Sequence, residues 1–466
     1  MRASRKINHR PYVPFNRKAD AVRPYICRMV PGPDFITFEW IAREEGTHTL
    51  TVKKRGEDVT VRQMSITDPV VTADGLSKNT EYELFIESPS GQMSNTRLFC
   101  TSEVPQGMTV VNYLHPQDTQ YAFSGNCLCS PSIVRLDSGR LLVGMDVFAN
   151  KNGQNTTILF YSDDNGKNWR YLTDMHPFYW ANLFLHKGSV YALGQTQEYG
   201  DLYIVRSDDN GETWSDPTLL FHGTTWCCNG GGIQHTPMHL TSYNGRLYTS
   251  FEYGNWGLAE GHLPGVISVD ENADLMKTEN WSFTDLVPYE GKWKEDDEGT
   301  KGQSIEGNLV VGPDGVLYDI MRHKIGKWLK LRVNTDDPDA APEYVGIEDA
   351  PVTKSMFRII PYKGKYLLIT NLQTEETAAL FGAVNSRNVL SAFVSDDLVN
   401  FRLVKHIVDF RDRDPWQYGF QYPSFIAEDD GVRLAVRSAF NGAENYHNAN
   451  YSLFYYLSDE EIMKAF

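Results

Sequence analysis

An eight-residue turn motif that occurs twice constrains the fold of this chain more than any other feature. Residues 162–169 read Ser-Asp-Asp-Asn-Gly-Lys-Asn-Trp, and residues 207–214 read Ser-Asp-Asp-Asn-Gly-Glu-Thr-Trp. Each copy follows a short apolar run. The Asp and Asn side chains accept hydrogen bonds from nearby amides, the glycine adopts a positive φ, and the Trp folds back as an apolar plug. The motif therefore predicts a self-stabilised hairpin turn within a repeated β unit.

The composition also predicts an all-β fold. The 466 residues include 25 Tyr, 23 Phe and 10 Trp together with 37 Gly and 22 Pro, which suits many short strands joined by turns. Helical periodicity is almost absent, and only residues 458–466 are predicted to form a short helix.

Six glycines define the repeat. Each ends a turn between two apolar strands, and they are Gly139, Gly188, Gly245, Gly315, Gly364 and Gly431. Spacings of roughly 50 to 70 residues suit four-stranded antiparallel units with loops. We therefore predict a six-bladed β-propeller over residues 104–466, with residues 109–113 closing the ring beside the last blade.

The turn motif resembles the Asp-box of sialidase-like β-propellers, where it joins the third and fourth strands of a blade. Residues 395–401 and 274–281 occupy the same place as degenerate copies.

The N-terminal part has a different character. Residues 1–22 are basic and without periodicity, which predicts an arm. Residues 23–103 contain alternating runs, and the spacing of Leu76, Thr80 and Tyr82 resembles the tyrosine-corner strand of fibronectin type III domains, with Trp40 similar to their core tryptophan. We predict a small β-sandwich there, acting as a spacer or as a carbohydrate- or partner-binding module.

The net charge and the sequence motifs exclude several classes of function. The net charge of −16 argues against a nucleic-acid partner.

Residues 1–22 contain no apolar run that would form a signal peptide or membrane anchor, so the chain as written is expected to be cytoplasmic, or secreted or periplasmic if a leader was trimmed. No cofactor motif is present, and Cys127, Cys129, Cys227 and Cys228 have no zinc-like spacing, so no cofactor or metal is expected. The oligomeric state stays open.

Two positions in each repeat are predicted to face a central pocket. The residue seven positions after each turn glycine is polar in all six repeats, which gives Asp146, Gln195, Glu252, Arg322, Asn371 and Ser438. The start of each inner strand contributes Ser130, Trp180, His235 or Thr236, Glu306, Arg358 and Tyr422. Carboxylates, arginines, a tyrosine and a tryptophan around one opening suit an enzyme that acts on sugars.

Specific segments resemble those of exo-sialidases. The resemblance implies that Tyr422 in Tyr-Pro-Ser-Phe is the nucleophile, that Glu306 in Glu-Gly-Asn activates it, and that Arg322 binds the substrate. Arg358 takes the place of another substrate-binding arginine. Asp146 is the nearest match to the acid/base of the family, and Glu252 is an alternative.

One departure from the family concerns the first blade. Cys129-Ser130-Pro131 stands where the family has Arg-Ile-Pro, so one arm of the clamp around the sialic acid carboxylate is missing. Either another residue such as Arg437 supplies the charge, or the substrate is not a sialoside, and the sequence favours the second interpretation.

The sequence thus predicts a retaining exo-glycosidase that acts on a terminal glycan sugar, with Trp180, His235, Gln195, Asn371 and the arginines binding substrate. If Tyr422 is not the nucleophile, Glu252 forms a carboxylate pair with Asp146 or Glu306. Two other functions remain open. One is a polysaccharide lyase that uses His235 and Tyr422 as base and acid and Arg322 to neutralise a uronate, and the other is a non-catalytic glycan-binding propeller.

Overall fold

The computed structural model describes residues 23–149, 153–223, 231–256, 261–297, 299, 301–382 and 384–466. The predicted arm, residues 1–22, and both Cys227 and Cys228 lie outside these ranges. The described chain is all-β apart from a 3-10 turn at Thr278–Asn280 and three short helices, α1 (Gly291–Asp296), α2 (Glu375–Phe381) and α3 (Asp459–Met463). Only α3 is anticipated by the sequence, and Ser458 and Glu461 form its capping box. None of the described helices is long and apolar enough to cross a membrane.

The N-terminal strands form two facing sheets. They are β1 (Tyr25–Pro31), β2 (Phe35–Ile41), β3 (His48–Lys54), β4 (Thr60–Ile66), β5 (Val70–Asp74), β6 (Glu81–Glu87) and β7 (Arg97–Cys100). One sheet has the order β1-β2-β5 and the other β4-β3-β6-β7. Trp40 is buried in their shared core, and the Tyr82 hydroxyl accepts a hydrogen bond from the Ser77 amide at 2.8 Å.

The remaining strands of the described chain are β8 (Thr109–Tyr113), β9 (Cys127–Arg135), β10 (Leu141–Phe148), β11 (Thr156–Ser162), β12 (Arg170–Met175), β13 (Tyr179–His186), β14 (Ser189–Gln195), β15 (Leu202–Ser207), β16 (Thr218–Phe221), β17 (Gly232–Gln234), β18 (Thr241–Tyr243), β19 (Arg246–Gly254), β20 (His262–Asp270), β21 (Trp281–Phe283), β22 (Ile305–Val311), β23 (Leu317–Lys324), β24 (Lys327–Arg332), β25 (Glu343–Asp349), β26 (Arg358–Tyr362), β27 (Lys365–Asn371), β28 (Val389–Ser395), β29 (Phe401–Asp409), β30 (Gly419–Glu428), β31 (Gly431–Ala439) and β32 (Tyr451–Ser458). They pair into six antiparallel sheets of successive strands, β9–β12, β13–β16, β17–β21, β22–β25, β26–β29 and β30–β32. Strand β8 pairs with β32, as the sequence predicts.

The repeat motifs lie where the sequence places them. All six turn glycines have positive φ and lie at the turn between two paired antiparallel strands, which in the third sheet are the three-residue β18 and the long β19. The two turn motifs join the third and fourth strands, and in each the Trp Nε1 donates to the glycine carbonyl at 3.1 Å. The degenerate copies at residues 274–281 and 395–401 join β20 to β21 and β28 to β29. Local turn chemistry therefore accounts for the regular part of the fold.

The N-terminal sheets pack tightly on the six-sheet region. Arg97 Nε donates to Asp118 Oδ2 at 2.6 Å in a fully buried ion pair, and Arg28 Nε donates to the Val111 carbonyl at 2.6 Å. The Tyr25 hydroxyl donates to Asp174 at 3.0 Å. Since a buried ion pair needs fixed geometry to offset its desolvation, these contacts hold the two regions in one arrangement.

Candidate active site

Three inner strands carry a bulge at the residue that the sequence singles out. Trp180, Glu306 and Tyr422 have φ of 55°, 62° and 56°, and the pairing register breaks at each of them. A positive φ is unfavourable for residues other than glycine, and a bulge re-aims a side chain out of the strand's regular alternation. Strain of this kind is typical of functional positions, where the surrounding structure enforces it.

Two of these bulges bring Tyr422 and Glu306 into direct contact. The Tyr422 hydroxyl donates to Glu306 Oε1 at 2.7 Å, and Arg322 Nη1 lies 2.8 Å from Glu306 Oε2 and 3.2 Å from the Tyr422 oxygen. All three side chains are buried. The arrangement places a base within reach of the tyrosine proton, which is the geometry that an activated hydroxyl nucleophile needs.

Two further arginines flank the Tyr422 ring. The guanidinium carbons of Arg437 and Arg387 lie 5.0 Å and 5.7 Å from the ring centroid. Arg437 Nη1 donates to Cys129 Sγ at 3.2 Å, and Arg387 is held by the Gln421 side chain and by the Lys354 carbonyl. Three arginines therefore surround one tyrosine and one glutamate.

The cluster formed by Tyr422, Glu306, Arg322, Arg387 and Arg437 carries an excess of positive charge. Burial raises the pKa of Tyr422, as does the charge of Glu306, whereas the three arginines oppose that rise. The pKa of Arg387 is lowered by burial and by the neighbouring cations Arg322 and Arg437. Among the described residues, the Nε atoms of all three arginines have no hydrogen-bond partner. Buried guanidinium groups with N–H donors left over can bind an anionic group.

Comparison with known protein families identifies the family to which this chain belongs. A family model described as a BNR repeat-like domain matches residues 182–436, which is more than half of the chain. The chain belongs to the BNR repeat-like family. No sequence of a curated protein matches it.

Solved structures share the fold of this BNR repeat-like protein at low sequence identity. A Hadza microbial sialidase is 14% identical with a TM-score of 0.53, and the match covers 97% of this chain and 99% of that one. A leech intramolecular trans-sialidase is 10% identical with a TM-score of 0.51, covering 97% and 94%. A Trypanosoma rangeli sialidase is 15% identical with a TM-score of 0.50, covering 77% and 58%. The BNR repeat-like chain therefore has the sialidase fold.

Four polar residues that were expected to face the pocket instead join neighbouring sheets. Asp146 Oδ1 accepts from the Trp180 amide at 3.0 Å, and Glu252 Oε1 accepts from the Glu306 amide at 2.6 Å. Gln195 bonds the backbone of residues 233 and 235, and Asn371 donates to the Phe420 carbonyl at 2.7 Å. Each side chain thus holds the start of the next sheet's inner strand. Polar side chains are also needed where a strand end packs against a neighbouring sheet, because backbone groups there require hydrogen-bond partners. Counting seven residues after each turn glycine therefore selected these residues as well.

The remaining predicted residues divide between the cluster and its surroundings. Arg358 donates to Ser424 Oγ at 2.7 Å and to His239 Nδ1 at 3.2 Å. Burial lowers the pKa of His235 to about 4, and its Nε2 faces Thr249 Oγ1 at 3.3 Å. Trp180 packs beside Cys129, which Arg437 contacts. In the part of the chain that the structure describes, no group of three potential ligands could hold a metal ion.

Arg387, which flanks Tyr422, and Glu198 were not identified from the sequence. Arg387 precedes β28, and Glu198 lies in the turn between β14 and β15. Neither occupies the strand positions that were counted. The sequence offered one indication of them, since each is a charged residue within a segment of mostly small and polar residues. The segments are 384–388 for Arg387 and 195–201 for Glu198.

The buried carboxyl of Asp146 makes stability depend on pH. Burial raises its pKa to about 7 from 3.8, against hydrogen bonds from Thr157 and two backbone amides and the charge of Arg437. Between pH 3.8 and about pH 7, the folded state keeps a proton on Asp146 that the unfolded state releases. The free energy of unfolding therefore falls as the pH rises through this range, by a total on the order of 4 kcal/mol. Asp146→Asn removes this dependence. Urea denaturation at pH 5 and pH 8.5 should show the variant gaining stability relative to wild type at the higher pH, and an unchanged difference would contradict the expectation.

Proposed function

We propose that this protein is a retaining exo-glycosidase that removes a terminal, carboxylate-bearing sugar from a glycan. The observation that carries the proposal is the 2.7 Å hydrogen bond from Tyr422 to Glu306, set among three arginines. A neutral tyrosine is a poor nucleophile near pH 7, and a carboxylate base within hydrogen-bond distance corrects this.

The reaction proceeds through two displacements. The Tyr422 oxygen attacks the anomeric carbon while Glu306 takes the phenolic proton, and the bond to the leaving oxygen breaks as an acid protonates that oxygen. The acid, now deprotonated, takes a proton from a water molecule that attacks the same carbon, the bond to Tyr422 breaks, and Glu306 returns the proton to the tyrosine. Two inversions leave the anomeric configuration unchanged. A neutral attacking group avoids the repulsion that a carboxylate nucleophile would meet beside an anionic sugar.

The arginine cluster supports a carboxylate on the substrate. Arg322, Arg387 and Arg437 outnumber the single carboxylate of Glu306, and Lys354 adds a fourth cation whose pKa is lowered by burial and by two of these arginines. Arg437 contacts Cys129, the residue that stands where the sialidase family has its first-blade arginine. This contact favours the interpretation that Arg437 supplies the missing charge. The substrate class is therefore sialosides and other terminal sugars with a carboxylate.

We propose that the architecture also matches that of the sialidase-like β-propellers. The six sheets are the blades of a six-bladed β-propeller spanning residues 104–466, closed where β8 pairs with β32. Residues 23–103 form a fibronectin type III-like sandwich, supported by the two-sheet order and by the contact between Tyr82 and Ser77. The buried contacts of that unit favour a spacer role.

A panel of aryl glycosides tests the function. Sialosides, uronides and neutral sugars are incubated with the wild type, and nuclear magnetic resonance follows the configuration of the first product. Release of a carboxylate-bearing sugar with retained configuration supports the proposal. Release of neutral sugars alone, or of an inverted product, contradicts it. A new ultraviolet absorbance from a carbon–carbon double bond would instead establish a lyase.

A further inference from the structure

The proposed reaction requires an acid that reaches the leaving oxygen, and the two carboxylates expected from the sequence already hold the backbone of a neighbouring sheet. Asp146 and Glu252 are 0% and 1% exposed. Each uses one carboxylate oxygen to hold the amide of the next inner strand, at Trp180 and Glu306 respectively. An acid/base residue must touch the leaving group and later a water molecule, so it needs a side chain that opens to the pocket.

Glu198 lies in a turn whose next residue is hydrogen-bonded to a buried histidine. The turn joins β14 to β15, and the Gly200 amide closes it by donating to the Gln197 carbonyl at 2.8 Å. The next residue, Tyr199, has a φ of 61° and shares a 2.9 Å hydrogen bond with His262 Nε2. Burial lowers the pKa of His262 to about 3, and the charge of Arg322 contributes to that shift. The turn is thus hydrogen-bonded to a histidine whose pKa is influenced by the charge of Arg322.

The carboxylate of Glu198 lies among residues that connect to Tyr422. Trp256 and Gln154 hydrogen-bond it, and its charge raises the pKa of Tyr179. The Tyr179 hydroxyl donates to Cys129 Sγ at 3.8 Å, and the same sulfur accepts from Arg437, whose guanidinium flanks the Tyr422 ring. Unlike Asp146 and Glu252, Glu198 is only partly buried.

We propose that Glu198 is the acid/base residue of this site. It donates its proton to the leaving oxygen as the bond from that oxygen to the anomeric carbon breaks. The resulting carboxylate then accepts a proton from the water molecule that displaces Tyr422, which restores the acid. The inference rests on the proposed glycosidase function, and it places the acid in the second sheet of the six, on a turn.

Burial raises the pKa of Glu198, and hydrogen bonds from Trp256 and Gln154 oppose that rise. A raised pKa keeps a larger fraction of the carboxyl protonated near neutral pH, as a general acid requires. The titratable groups that interact with Glu198 are Tyr179 and Tyr199, because its charge raises the pKa of both phenols. Partial exposure lets water reach the carboxylate in the second step.

The test compares leaving groups in Glu198→Gln. For an aryl glycoside with an acidic phenol, which needs no protonation, kcat/KM should stay within about tenfold of wild type. For an alkyl or sugar leaving group, kcat/KM should fall by about 10² to 10⁴-fold. Azide should restore turnover of the acidic aryl glycoside by Glu198→Ala and yield the glycosyl azide. The pH profile should lose its alkaline limb.

Matched variants separate this inference from its alternatives. Asp201→Asn alters the same turn, since Asp201 Oδ1 accepts from the Gly223 amide at 2.9 Å, and any loss there should be equal for all leaving groups. An equal loss in Glu198→Gln, or selective loss in Asp146→Asn instead, would overturn the assignment while leaving the glycosidase intact. Tyr422→Phe should lose activity on every substrate. A wild type that releases no sugar would overturn both proposals.

Discussion

Replacing Tyr422 with Phe is expected to lower kcat/KM by about 10³-fold or more on every glycoside that the wild type hydrolyses, because the reacting oxygen is removed. A loss of that size corresponds to about 4 kcal/mol of transition-state stabilisation. Glu306→Gln should cause a comparable loss, since an amide cannot take the phenolic proton. Steady-state kinetics of both variants measure the effect.

A second tyrosine provides the control for Tyr422→Phe. The Tyr243 hydroxyl donates to the Gly315 carbonyl at 2.7 Å, in the turn that follows β22, whereas Glu306 lies at the start of that strand. Tyr243→Phe should leave kcat/KM within about twofold, because one partly exposed hydrogen bond contributes only about 1 kcal/mol to stability. Thermal melting should show all three variants folded. If Tyr422→Phe kept more than a tenth of wild-type activity, Tyr422 would not be the nucleophile.

Replacing Arg437 with Met is expected to weaken the use of carboxylate substrates selectively. A buried guanidinium that binds a carboxylate loses about 100-fold or more in affinity when it is truncated. The KM for a carboxylate-bearing substrate should therefore rise, or kcat/KM should fall, by that factor. A substrate in which the carboxylate is replaced by a neutral amide should lose far less, because it gains little from the charge in the wild type.

Arg433 is the matched control for Arg437, since both lie on β31. Arg433 pairs with Asp430 at 2.6 Å, away from Tyr422, so Arg433→Met should not alter the preference for a carboxylate. An equal loss on acid and amide substrates in Arg437→Met would show that Arg437 supports the site only by packing on Tyr422 and Phe148.

The regular part of the fold could be predicted because its determinants are local. A turn glycine with positive φ, and a Ser-Asp-Gly-Trp motif that bonds to itself, dictate the hairpin whatever lies around it. The same holds for α3, whose cap is built from Ser458 and Glu461. By contrast, α2 depends on a Thr374 cap within a polar loop, which offered no apolar periodicity to detect.

The site was only partly predictable because its residues meet through long-range packing. Tyr422, Glu306 and Arg322 were identified from segments that resemble a known family, and the structure places them in contact. Arg387 lies just before β28 and Glu198 in a turn, and their positions depend on how successive sheets pack together. Counting along strands also could not distinguish a residue that faces the pocket from one such as Asn371, which holds the next sheet.

Trapping the covalent intermediate tests the central claim most directly. A fluorinated glycosyl fluoride of the preferred sugar forms the intermediate quickly but slows its hydrolysis, and mass spectrometry of the digested protein then locates the label. The account predicts one added sugar on the peptide that contains Tyr422, and none in Tyr422→Phe. A label on Glu306, Glu252 or another carboxylate, or no label during active turnover, would contradict it.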